Sequence, residues 1–121
     1  MSARKTKWIA VRTLTLHGDV QRTVTVKLGR PRPGKKKHGS WFCQFQIAGV
    51  GREKVHQIYG VDPISALIYA LGVIAIHLRT YQNTNTLTWL GTGDLGFPIL
   101  FGPREERDFL KWPPEADRPQ P

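Results

Sequence analysis

The segment that most limits what this chain can become is VDPISALIYALGVIAIHLRTY, residues 61–81. Asp62 is a good N-cap and Pro63 suits the first helical position, so the spacing predicts a helix from Pro63 to about Tyr81. Ile64, Leu67, Ile68, Leu71, Ala75 and Leu78 recur at helical spacing and form the expected buried stripe. Val73 and Ile76 carry apolar character onto a second face, with Tyr69 beside them. A helix apolar this far round needs cover on two sides, or it offers one side to a partner. Its apolar run, Ile64 to Leu78, is shorter than the roughly 20 residues that span a bilayer.

What covers such a helix is legible upstream. VQRTVTVKL alternates, with Val20, Val24, Val26 and Leu28 on one face and polar residues on the other, which predicts a strand. KWIAVRTLTL before it is also rich in strand formers. Its apolar phase switches from Ile9 and Val11 to Leu14 and Leu16, which predicts a bulge or a strand apolar on both faces. Gly18-Asp19 between them fits a hairpin turn. SWFCQFQI puts Trp41, Cys43, Phe45 and Ile47 on one face and Phe42, Gln44 and Gln46 on the other, and KVHQIYG reads as a fourth strand. Between strands two and three runs RPRPGKKKHG, punctuated by Pro and Gly and expected to be a loop projecting from one edge of the sheet. Beyond the helix, Leu87, Trp89, Phe97, Ile99 and Phe101 are candidates to cover its second face, with one brief strand among them.

The expected fold is therefore α+β: an antiparallel sheet of four to five strands, in meander order, packed on one long helix. The length of 121 residues suits one domain. Residues 1–102 are expected to form it, with a short helical turn and a Pro-rich tail over 103–121.

Charge is the strongest compositional signal, with a formal net of +9. Residues 1–54 hold thirteen Lys and Arg against two acids, while residues 55–121 hold five against seven. The basic half predicts an acidic or polyanionic partner. The basic, polar start of the chain has no secretory pattern, and the one cysteine excludes an internal disulfide framework, so a cytoplasmic protein without membrane insertion is expected.

Catalytic chemistry finds little purchase. Gly91-Thr92-Gly93-Asp94-Leu95-Gly96 spells G-x-G-x-x-G, but Phe97-Pro98 follows where a helix should begin, so a structural turn is expected and no cofactor. Cys43 shares its strand face with Trp41, Phe45 and Ile47, which predicts a packed, inert thiol. His17, His38, His56 and His77 have no metal-ligand spacing, and His77 near a helix C-terminus is explained by the helix dipole. Asp62 is occupied as a cap, and Glu105, Glu106 and Asp108 read as a solvated face. No catalytic residue, metal site or enzyme activity is expected.

The candidate contact residues are Arg30, Arg32, Lys35, Lys36, Lys37 and His38 of the basic loop, with Phe42 as the nearby aromatic directed away from the core. Arg4, Lys5 and Lys7 add to the same charge. Such a loop can neutralise phosphates or grip an acidic protein.

GRP, GSWFCQFQI, YGVDPISALIYALGVIAIHL and LTWLGTGDLGFP, taken together, resemble a family of small, mostly uncharacterised bacterial proteins. The resemblance spans roughly Ile9 to Pro98 and rests on a W-x-C strand, a YGVD turn opening an Ala/Leu-rich helix, and a closing WLG–DLGFP segment. Helices of this YGVD type are similar to ones in immunity proteins of bacterial toxin systems. That similarity implies a non-enzymatic inhibitor that occludes a cognate toxin. Many immunity proteins that block nucleases are acidic, so the basicity here points to an acidic toxin surface. The alternative expectation is a nucleic-acid-binding accessory protein using the same loop.

Overall fold

In a computed structural model, the described residues are 7–35, 41–51 and 53–100. The chain runs β1 (Trp8–His17), β2 (Arg22–Gly29), β3 (Arg32–Pro33), β4 (Trp41–Ala48), β5 (Val55–Gly60), α1 (Pro63–Gln82) and β6 (Thr86–Thr88). The six strands form one antiparallel sheet with α1 packed against it, an α+β fold. β6 pairs β1, β1 pairs β2, and β2 pairs β4 from Thr25–Ala48 to Leu28–Phe45. β3 continues along that same side of β4, and β5 pairs the other side. The meander order holds: β1, β2, β4 and β5 are the four strands expected before the helix, the three-residue β6 is the brief strand expected beyond it, and the two-residue β3 is additional.

Alternation sets the core. Leu14, Val24, Val26, Phe45 and Ile47 point to the helix side and are buried with Ile74, Leu78, Leu87 and Leu95. Cys43, Ala66 and Ala70 form a second buried cluster at the other end of the helix. Asp62 caps α1 by accepting the Ser65 N–H at 2.6 Å, with Pro63 in the first turn.

Four expectations are corrected or resolved. Ala75 and Leu78 of the expected stripe are buried, joined by Ala66, Ala70, Gly72 and Ile74, whereas Ile64 and Ile68 are 68% and 42% exposed. The cause is close approach: a Cβ on Gly60 would lie 2.4 Å from the Ala66 nitrogen. Only small residues let the first half of the helix sit this near β5, so the bulkier isoleucines turn outward. Second, of the two readings of the β1 phase switch, the strand apolar on both faces holds, and the register irregularity lies earlier, between Trp8 and Ala10. This leaves Ile9 and Val11 on the open face, 56% and 58% exposed. Third, Val20 lies outside β2 and is exposed, because the turn between β1 and β2 extends to Gln21. Fourth, Arg32 and Pro33 of the basic loop are a strand, paired with Phe42 and Trp41.

The segment after β6 is held by Arg12. Its guanidinium donates to the carbonyls of Leu95 and Gly96 at 3.0 and 2.9 Å, and it lies 3.9 Å from the Trp89 ring centroid and 4.7 Å from that of Phe97. Gly96, at φ +75°, leaves no room for a Cβ, which would meet the Trp89 ring at 2.4 Å. The G-x-G-x-x-G letters thus serve a packed turn, closed further by the Gly96 N–H donating to Asp94 at 2.9 Å. Leu87 and Leu95 enter the core, and Trp89 and Phe97 pack against it. Ile99 is half-buried, and Phe101 and the expected tail lie outside the described residues.

At 20 residues, α1 is longer than its 15-residue apolar run. By length and composition it also meets the criteria for a membrane span. In this fold its Ala66–Leu78 stripe lies on the sheet.

Candidate interaction surface

One face of the sheet carries α1; the opposite face carries no second layer among the described residues. The residues on that open face follow from register. Val11, Lys27, Gln46 and Val55 form one cross-strand row, and Arg32, Phe42 and Tyr59 form another, with Gln44 opposite Gln57 between them. Thr13, Thr15, Thr23 and Thr25 continue the face toward the far end.

Phe42 and Tyr59 are directly opposed, with ring centroids 6.0 Å apart and planes tilted by 48°. Tyr59 is 42% exposed and donates its hydroxyl to the Gln57 side chain at 2.9 Å. Aromatic pairs of this geometry form rigid, amphipathic contact area, which partner recognition favours. Arg32 is Phe42's register neighbour on the other side, so a cation flanks the pair.

The electrostatics of this face have one sign. Lys27 and Arg32 lie on it, and the described acids lie elsewhere: Asp19 and Glu53 in turns, Asp62 at the helix cap, and Asp94 in the segment after β6. Arg30 and Lys35 are exposed beside β3. Lys36, Lys37 and His38 lie outside the described residues, as do Arg4 and Lys5. The described residues on either side of Lys36, Lys37 and His38 are Lys35, which follows β3, and Trp41, which opens β4.

Sequence reasoning singled out Phe42 but missed Tyr59, Gln44, Gln46, Gln57 and Lys27. The signal was present, because the alternation that buries Cys43 and Phe45 turns Gln44 and Gln46 outward. Antiparallel pairing with β5 then brings Tyr59 opposite Phe42.

The other groups weighed for chemistry have defined places. Cys43 is buried, its thiol donates to the Gly29 carbonyl at 3.1 Å, and burial pushes its pKa up to about 11, far from thiolate chemistry. His17 shares a hydrogen bond of 2.8 Å with Thr88. His56 and His77, 21 positions apart in sequence, come together with ring centroids 5.1 Å apart.

The model of a family described as a domain of unknown function, DUF6968, matches residues 10–99. No curated protein and no solved structure matches the chain. That match runs from β1 through α1 and β6 to the segment pinned by Arg12, so it takes in the sheet, the helix and the open face together. The chain belongs to the DUF6968 family.

Proposed function

We propose that this protein is a non-enzymatic binding protein that occludes an acidic protein partner through the open sheet face and the basic β3–β4 hairpin. The partner class suggested by the YGVD-helix resemblance is a bacterial toxin, which makes the chain an immunity protein. One observation carries the reading: a sheet face without a second layer, bearing the Phe42–Tyr59 pair and Arg32 and Lys27, with no acid among its described residues.

The division of labour follows from general interface physics. Arg30, Arg32, Lys35, Lys36 and Lys37 raise the association rate with an acidic surface, an effect that salt screens. Phe42 and Tyr59 supply the desolvated centre that slows dissociation. The glutamines between them are neutral and can donate or accept hydrogen bonds with a partner's backbone. Nothing in this scheme requires a bond to be made or broken.

The test is co-expression of this chain with each gene that flanks its own. One flanking gene should arrest growth alone, be tolerated when this chain is present, and yield a stoichiometric complex on co-purification. Absence of toxicity from every flanking gene contradicts the reading. So does tight binding of a 20-nucleotide single-stranded DNA or RNA that Lys35→Glu, Lys36→Glu and Lys37→Glu together abolish, which would establish the nucleic-acid alternative instead.

A further inference from the structure

On the helix side of the sheet, away from the open face, is a second feature. Phe45 and His56 are cross-strand partners and stack at 4.7 Å with planes 13° apart. His77 reaches them from α1, 5.1 Å from His56 and 5.8 Å from Phe45. Beside these rings lies a hollow of about 650 Å³, between the last turns of α1 and the β4–β5 turn. That volume is within the range of small-molecule sites.

The lining has two characters. Ile47, Val50 and Ile76 form an apolar wall, while Lys54, His56 and His77 contribute nitrogen donors. No acid lines it. Glu53, the adjacent acid in sequence, is turned to the β4–β5 turn, where its carboxylate accepts the Gly49 N–H at 3.3 Å. The hydroxyls at the rim already donate within the protein, Tyr81 to the Val50 carbonyl and Thr80 to the Ile76 carbonyl. Arg79 belongs to a different hollow on the other flank of the helix. Among the described residues, the groups facing His56 are thus Lys54 from just before β5, His77 and Tyr81 from α1, and the apolar Phe45 and Ile47 from β4.

We propose that this hollow is a binding site for a small monocarboxylate bearing a short apolar arm. The carboxylate would accept from the ring N–H groups of His56 and His77 and from the Lys54 ammonium, and the arm would lie on Ile47, Val50 and Ile76. A metal cation fits the same imidazoles less well, because Lys54 repels it and two nitrogens leave at least half of the coordination positions unfilled. Burial, then His77, then Lys54 hold the His56 pKa below the ordinary histidine value. An anion supplies a counter-charge that none of the described lining residues provides, so its binding raises that pKa and tightens as pH falls toward about 6.

The experiment is a histidine ring NMR titration of the full chain at about pH 6 with sodium acetate, butyrate and hexanoate, and with inorganic phosphate. Expected are saturable shifts of His56 and His77, with His17 unmoved and affinity rising about threefold per methylene. Lys54→Gln, at an exposed position, should weaken hexanoate about fivefold without unfolding the protein. Unmoved His56 and His77 signals, equal shifts of His17, or no gain from acetate to hexanoate overturn the proposal. Phosphate binding as tightly as hexanoate overturns it as well, by reducing the site to bare charge attraction.

Discussion

The two faces of one sheet, built from the same strands, have opposite properties. The covered face presents Leu14, Val24, Val26, Phe45 and Ile47 to α1, all essentially without solvent contact. The open face presents threonines, glutamines, Lys27, Arg32 and the Phe42–Tyr59 pair. Because strand side chains alternate, residues of opposite parity serve different ends: Phe45 holds the fold while Phe42, three positions earlier, does not. The open face is therefore free to be chosen for recognition at little cost to folding.

Substitutions on the covered side should be the most damaging. Gly60→Val forces new atoms against the backbone of Ser65 and Ala66, which cannot yield without lifting the helix. A loss of about 3 kcal/mol in urea unfolding is expected. Retention of wild-type stability would mean that the helix does not rest on Gly60.

Arg12→Ala comes next, at about 2 kcal/mol, because it leaves the Leu95 and Gly96 carbonyls without their donor and Trp89 and Phe97 without the guanidinium. Arg12→Lys should recover only part of this, since an ammonium can donate to both carbonyls but lacks the planar guanidinium that lies over Trp89 and Phe97. Urea midpoints of the two variants measure the difference.

A smaller effect is set by pH. His56 is depressed in the folded state, first by burial and then by His77 and Lys54. Its contribution is therefore complete above the unfolded value of about 6.5 and is lost as pH falls through the lower folded value. Melting temperatures in weakly binding buffer should fall from pH 7.5 to 5.5, and His56→Gln should flatten that slope. An unchanged slope in the variant assigns the pH dependence to other groups.

Much of this fold could be read from the chain because it depends on period. Alternation located four strands and both faces, and Asp62-Pro63 located the helix start. What escaped depends on distance. Hydropathy ranks Ile64 and Ile68 above Ala66 and Ala70, but the closeness of Gly60 selects small side chains for the contact. The Arg12 contacts join positions 83 and 84 residues apart, and no local pattern announces them. Tyr59 and the His56–His77 encounter likewise needed strand register and the placement of the helix over β5.

The smallest stability effect belongs to the open face, and it accompanies the largest predicted functional one. Phe42→Ala with Tyr59→Ala removes a solvent-facing cross-strand pair, so the cost should stay near 1 kcal/mol. The most direct measurement is growth rescue by this double variant in cells expressing any flanking gene that proves toxic alone, alongside its urea midpoint. The account predicts that rescue is lost while the protein remains folded. Full rescue by a folded double variant would contradict it and remove the open face from the interface.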